Sequence, residues 1–185
     1  MTDAAAAQDR IAFLRGLRNV RHFRPAPIPR GVVDDLLEVA RWSGSARNIQ
    51  PWEFVVVRDP ETLRAMAAAE GFAGHLAEAP LGIVLVMHGE PSQTTQETWD
   101  EGRLAERIML AAAAHGLGAS IGWFLPAGAD AVRARLGIPP ARTVRTALSL
   151  GYPEAAEATA PKSGQGRKPL AELVHEERYG ARPNR

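Results

Sequence analysis

The residues best suited to chemistry form a basic segment near the amino terminus, where residues 17–23 read Leu-Arg-Asn-Val-Arg-His-Phe. The prolines that follow predict an extended chain in this region. Alternate residues of an extended chain share a face, so Arg18, Asn19 and Arg21 would present several hydrogen-bond donors and two fixed charges close together. Such a group suits a phosphate or another dense anion.

Two further polar segments could contribute to a site. Residues 43–50 form a predicted loop that carries two hydroxyls and two amides, and Pro51 and Trp52 hold it at the mouth of a strand predicted at 54–57. Residues 166–170 read Gly-Arg-Lys-Pro-Leu, a basic pair fixed by a proline. Each segment alone is typical of an ordinary surface loop, so only their combination is informative.

A different motif indicates another enzyme class. Residues 118–122 match the G-x-S-x-G nucleophile elbow, and Asp130 and His175 follow Ser120 in the chain order of an α/β-hydrolase triad. The elbow requires a strand before it and a helix after it, whereas the sequence predicts a helix before it and a strand after it. A serine hydrolase stays an alternative, and a glycine-rich connection between helix and strand is favoured.

Other patterns that could carry chemistry are weak. Gly116, Gly118 and Gly122 have the wrong spacing for a dinucleotide fingerprint, and no strand is predicted before them. None of the five histidines has metal-ligand spacing, so we expect no metal site. The chain has no cysteine, which excludes disulfides, thiolate metal sites and a cysteine nucleophile.

Charge and hydropathy exclude several kinds of partner. The formal net charge of the 185-residue chain is +1, which argues against nucleic-acid binding. The first residues lack the basic and apolar regions of a leader peptide. The longest apolar stretch, residues 81–87, is too short to span a bilayer. We therefore expect a soluble, cytoplasmic protein with no membrane partner.

The order of the predicted elements favours an α+β fold, because two helices come first and strands then alternate irregularly with helices. We expect a single domain over residues 1–185, with flexible tails at 1–8 and 178–185. A stretch rich in glycine and proline predicts a long loop at 151–168. The predicted helices cover 8–17, 29–43, 59–70, 97–115 and 128–136, and the predicted strands cover 54–57, 81–88, 120–124 and 143–150.

Taken together, the polar segments resemble the flavin-dependent nitroreductase family. The motif R-x-V-R-x-F at 18–23 precedes S-x-x-N-x-Q-P-W-x-F at 45–54, and the likeness continues through the glycines at 116–118, the segment 121–124, Gly-Tyr-Pro at 151–153 and residues 167–170. The resemblance implies a sandwich with a central mixed β-sheet flanked by helices. It also implies a homodimer that holds FMN at the subunit interface.

The same resemblance implies how the site works. NADH or NADPH would reduce FMN, and electrons would then pass to a small acceptor such as a nitroaromatic or a quinone, so no catalytic residue of the chain is required. Arg18 and Asn19 fall where the family contacts the FMN phosphate, and Arg21 falls near the ribityl chain and pyrimidine edge. The loop that holds Ser45, Ala46 and Asn48 would come from the partner subunit. The backbone at 121–123 would face the hydride-accepting nitrogen of the flavin, and Arg167 with Lys168 beside it would return to the phosphate. The cofactor-binding residues implied in this way are Arg18, Asn19, Arg21, Ser45, Ala46, Asn48, Gln50, Ile121, Gly122, Trp123, Arg167 and Lys168.

The chain departs from the family pattern at four positions. Leu17 stands where a basic residue is common, and Gly44 and Ala46 replace residues that are often Pro and Ser. Arg47 is bulky and charged, and it would favour an acidic or polar substrate if it pointed into the pocket. Besides the hydrolase, a flavin- or deazaflavin-binding protein with a specialised dehydrogenase role stays open.

Overall fold

The computed structural model describes residues 3–155 and 167–182. The helices with both ends in these ranges are α1 (Asp3–Gly16), α2 (Arg30–Arg41), α3 (Pro60–Ala67), α4 (Thr94–Ala114), α5 (Pro126–Leu136) and α6 (Leu170–Leu173). The strands are β1 (Trp52–Val57), β2 (Leu81–Met87), β3 (Gly118–Trp123) and β4 (Thr143–Gly151). Short 3-10 turns occupy Ala46–Asn48, Gly74–Glu78 and Pro91–Gln93. Most of the loop predicted at 151–168 lies outside the described residues.

The four strands form one sheet in the order β1-β2-β4-β3, and every neighbouring pair is antiparallel. The α+β class is confirmed, and the expected mixed sheet is corrected to an antiparallel one in the described chain. The reason is visible between β1 and β2. Helix α3 and the turn at Gly74–Glu78 return the chain to the end of the sheet where β1 stops, so Gly82 pairs with Val57.

Helices cover both faces of the sheet. All seven residues of β2 are buried. Ile83 and Leu85 belong to a core shared with α2 and α4, whereas Val84 and Val86 belong to a core shared with α3 and α5. A continuous apolar run is expected in a strand that is covered on both faces, whereas an antiparallel strand with one face in water alternates apolar and polar residues.

The helix boundaries follow local sequence signals. The Asp59 carboxylate accepts a hydrogen bond from the Thr62 N–H at 2.8 Å and caps α3, with Pro60 at the first helical position. Gly137 ends α5 with a φ of 66°, a left-handed conformation that glycine adopts without strain.

The amino-terminal helix is longer than predicted. Helix α1 spans Asp3–Gly16, so it begins before the helix predicted at 8–17. Four consecutive alanines favour this earlier start, since alanine has the highest helix propensity. Ile11 and Leu14 are 48% and 50% exposed, so the apolar side chains of this helix pack little against the rest of the described chain.

Candidate functional site

The basic segment is extended and lies along the outer edge of β3. Asn19 forms an isolated parallel bridge with Ala119, and the Val20 N–H donates to the Ala119 carbonyl at 2.9 Å. Val20 is buried, whereas Arg18, Asn19 and Arg21 are exposed. The segment is therefore anchored to the sheet through Val20 and presents its polar side chains to solvent.

Two glycines allow this close approach. Gly118 and Gly151 are register partners at the end of β3 and β4. A Cβ atom on Gly118 would lie 2.5 Å from the Cβ of Val20, and one on Gly151 would lie 2.7 Å from the Phe23 ring. Since real Cβ contacts are longer, Val20 and Phe23 occupy the space that side chains at the two glycines would fill.

The outer edge of β3 is a row of backbone polar groups. The carbonyls of Ala119, Ile121 and Trp123 point outward, where they accept from the Val20 N–H, the His75 ring and the Phe72 N–H, respectively. The N–H and C=O groups of one strand residue point to the same side, so the N–H groups of Ile121 and Trp123 also face this edge. This edge therefore offers backbone donors beside the basic segment.

His75 joins the edge of β3 to the interior of the sheet. Its Nε2 lies 3.3 Å from the Ile121 carbonyl, and its Nδ1 lies 2.7 Å from the hydroxyl of Ser149, which is fully buried. A carbonyl only accepts, so Nε2 carries the proton and Nδ1 accepts from Ser149. Burial lowers the pKa of His75, and the charge of Arg21 lowers it further, whereas the Ile121 contact raises it. His75 carries no signal in the sequence alone, because a lone histidine in a short turn has no distinguishing spacing.

The loop that holds Ser45, Ala46 and Asn48 is predicted to reach the cofactor held by the partner subunit, and its backbone conformation is unusual. Arg47, Asn48 and Gln50 have φ values of 52°, 56° and 52°. Non-glycine residues in this region are uncommon and cluster at functional sites. The Ser45 hydroxyl accepts from the Gln50 N–H at 2.8 Å, and the Gln50 side chain donates to the Asn48 carbonyl at 3.3 Å. These bonds hold the loop in one shape.

The basic segment and this loop lie at diagonally opposite corners of the sheet. Asn19 lies beside Ala119 of β3, and Ala119 is in register with Leu150 of β4 and, through it, with Leu81 at the start of β2. The loop instead leads into Trp52 of β1, which pairs with Met87 at the other end of β2. Six residue steps along β2 amount to about 20 Å, and three strand spacings to about 14 Å. The corners are thus about 25 Å apart, and one chain does not bring the two segments together.

The remaining predicted residues are placed separately. In the described part of the chain, the Arg18 guanidinium makes hydrogen bonds only to the Arg15 and Leu17 carbonyls, at 2.8 and 2.7 Å. Arg167 and Lys168 are exposed and precede α6, with no described contact to Arg18. The predicted approach of this basic pair to the phosphate site therefore stays a prediction.

The hydrolase triad is not assembled. Ser120 lies fully buried within β3, which follows helix α4 rather than leading into a helix. Its hydroxyl has no hydrogen-bond partner among the described residues. Asp130 pairs with Arg133, and the His175 Nδ1 accepts from the Gly180 N–H at 2.8 Å. The elbow geometry that would expose Ser120 is absent.

Residues 3–155 and 167–182 hold no metal-binding cluster and no membrane-spanning helix. No group of three or more acidic or histidine side chains there could hold a metal ion. None of the helices there is both long and apolar enough to cross a membrane.

Comparison with known proteins identifies the family. The Nitroreductase family model matches residues 14–72. The NADH dehydrogenase of Thermus thermophilus is 32% identical over 171 residues, which span 74% of this chain and 82% of that protein. The 5,6-dimethylbenzimidazole synthase of Rhodobacter capsulatus is 30% identical over 174 residues, spanning 76% of this chain and 82% of the relative. The chain belongs to the nitroreductase family.

Solved structures agree on the fold. A nitroreductase from Desulfovibrio desulfuricans in complex with FMN superposes with a TM-score of 0.75 at 25% identity, covering 91% of this chain and 96% of that one. The family resemblance seen in the sequence is thus confirmed at the level of fold and family.

Proposed function

We propose that the chain is a flavin-dependent oxidoreductase that draws electrons from NADH or NADPH and delivers them through FMN to a small acceptor such as a nitroaromatic or a quinone. Family membership supports the flavin chemistry. The observation that carries the proposal is the row of backbone donors on β3 beside an exposed basic segment. Together they provide what a flavin with a phosphate tail needs, which is hydrogen-bond donors and fixed positive charge.

The residues present fit FMN in their donor chemistry. Arg21, Arg167 and Lys168 are exposed and pair with no carboxylate in the described part of the chain, so their charges are available to a phosphate or to an anionic reduced flavin. The N–H groups of Ile121 and Trp123 face the same edge and can donate to a flavin ring. When bound, FMN supplies the hydride and electron-transfer chemistry, and the residues of the chain bind and orient it.

The proposed site is shared between two subunits. A ligand on the Arg18 corner lies about 25 Å from the loop at 45–50 of the same chain. If Ser45, Ala46, Asn48 and Gln50 contact that ligand, a second copy must supply them. We therefore propose a homodimer with two FMN sites at its interface.

The first experiment is the visible spectrum of the freshly purified protein, with the released cofactor identified by mass. Flavin absorption and an FMN mass equimolar with the chain support the proposal. A colourless protein that also fails to bind added FMN would contradict it.

The second experiment tests whether two chains share each site. Arg18→Ala and Asn48→Ala are prepared separately and each is expected to bind FMN weakly. After the two variants are unfolded and refolded together, each mixed dimer should regain one intact site, because one partner keeps Arg18 and the other keeps Asn48. A site built within one chain would show no recovery, and refolding each variant alone provides the control.

A specialised dehydrogenase is the second candidate, because one relative is a 5,6-dimethylbenzimidazole synthase. Steady-state oxidation of NADH or NADPH with a quinone separates the two candidates. Sustained turnover favours the reductase, and flavin binding without turnover favours the specialised role.

A further inference from the structure

A cavity of about 610 Å³ lies directly beside the loop at 45–50, in which Arg47, Asn48 and Gln50 have positive φ values. Its walls come from the loop at Ala46 and Arg47, from His88 after β2, and from Glu97 and Asp100 on α4. Ala46 is also one of the residues proposed to contact the cofactor held by the partner subunit. In the proposed dimer the cavity is therefore adjacent to the flavin and is large enough for a small aromatic molecule.

The carboxylates on the cavity wall are already bonded within the chain. Glu97 accepts from the N–H groups of Gly89 and Glu90 at 3.0 and 3.2 Å. The carboxylate of Glu90 accepts from the N–H and hydroxyl groups of Ser92 at 3.2 and 3.0 Å. These acceptors are occupied, so they do not require a cation or another donor from a ligand.

Asp100 is the third acidic side chain on the wall, and it pairs with Arg103 at 3.3 Å. Burial raises the pKa of Asp100, although the charge of Arg103 lowers it. The pairing with Arg103 compensates much of the negative charge that this carboxyl would direct at an anionic ligand.

The two arginines on the wall differ in their partners. Arg142 pairs with Glu53 at 3.3 Å. Arg47 is exposed and makes no hydrogen bond or ion pair with the described residues. Its backbone is held by the hydrogen bonds from Asn48 to Ser45 and from Ile49 to Ala46, at 3.1 and 3.2 Å. A fixed backbone with an uncommitted guanidinium is the arrangement expected of a group that binds an anion.

We propose that Arg47 makes this cavity selective for acceptors that carry a carboxylate or a similar anionic group. The guanidinium offers paired donors in a planar arrangement that matches a carboxylate, and the reducible end of the acceptor then faces the neighbouring flavin. This inference rests on the proposed function, because the cavity receives an electron acceptor only if the loop lies over a flavin of the partner subunit.

The test compares 4-nitrobenzoate with 4-nitrobenzamide, which has the same ring and nitro group but no charge. The measured quantity is the ratio of kcat/KM for the two acceptors in the FMN-loaded enzyme. Arg47→Gln should lower this ratio roughly tenfold, the value of one charge-assisted contact. Arg47→Lys should retain part of the preference. An unchanged ratio in Arg47→Gln would overturn the inference.

Arg64→Gln is the matched control. Arg64 is exposed on α3, outside the cavity, and forms no ion pair with the described residues. The Arg64→Gln variant loses one positive charge, as Arg47→Gln does. A fall in the kcat/KM ratio of the two acceptors for this variant would therefore mean that overall charge, rather than Arg47, sets the preference for the anionic acceptor.

A binding measurement separates this inference from the proposed function. Calorimetric titration of the oxidised, FMN-loaded protein with 4-nitrobenzoate needs no electron donor, and Arg47→Gln should raise Kd roughly tenfold. If the unaltered protein binds the acid in an Arg47-dependent way but oxidises neither NADH nor NADPH, the reductase proposal fails and the selectivity stands. Turnover of both acceptors with an Arg47-independent Kd refutes the selectivity alone.

Discussion

Gly118→Ala tests whether the basic segment depends on the missing side chains at the end of the sheet. The new Cβ would lie 2.5, 2.6 and 2.8 Å from the Cβ, Cγ1 and Cγ2 of Val20. Val20 is β-branched and buried, and its N–H is bonded to Ala119, so it cannot rotate away. Ordinary carbon contacts are about 3.5–4.0 Å, so the segment must move by about 1 Å. Overpacking of this kind costs about 1–3 kcal/mol.

Thermal unfolding and FMN titration measure the consequences. For a chain of this size the melting temperature should fall by about 2–12 °C. The Kd for FMN should rise roughly tenfold, because Arg18, Asn19 and Arg21 move with Val20. Gly31→Ala is the control, since Gly31 is exposed in α2 and a Cβ there meets nothing within 4 Å. A Gly118→Ala protein with unaltered melting temperature and FMN affinity would refute the reasoning.

Two further predictions concern buried charge and pH. Arg145→Met leaves the buried Glu101 carboxylate, which is paired at 2.8 Å in the native chain, without its counter-charge. The free energy of unfolding in urea should fall by about 3–5 kcal/mol, and adding Glu101→Leu to this variant should restore most of the loss. An unchanged free energy of unfolding in Arg145→Met would show that the pair is unimportant. The folded-state pKa of His75 is lowered, so its stabilising contribution is present above the unfolded pKa of about 6.5 and is lost as pH falls below it, because the unfolded chain binds the proton first. The melting temperature should therefore fall more between pH 7.5 and 5.5 in the native chain than in His75→Gln, and equal falls would contradict this assignment.

The elements that were predicted well are those whose signal is local. The apolar run of β2 and the start of α3 after Asp59 both appear where expected, because a strand covered on both faces and a capped helix start each produce a signal within a few residues. The extended conformation of the basic segment also follows from its prolines. Helix α1 begins earlier than the predicted start at residue 8, because the four alanines near its start favour a helix without forming an apolar periodicity.

The features that the sequence did not reveal depend on tertiary placement. His75 reaches Ser149 and Ile121 from distant positions along the chain, and no spacing encodes that meeting. Glu101 appears as one more charged residue of a polar helix, yet it is buried against Arg145 of β4. Such contacts follow from how α4 packs on the sheet, which local periodicity does not determine.

One departure from the family pattern in the loop, Gly44, lies against α4. A Cβ at Gly44 would lie 2.6 Å from the Nη2 atom of Arg103, which is the end of a flexible side chain, so a larger residue there would require this guanidinium to shift. Arg103 in turn pairs with Asp100, which lines the cavity beside Arg47. Gly44 is therefore linked through Arg103 to the cavity wall, and no described contact links it to the basic segment at the opposite corner.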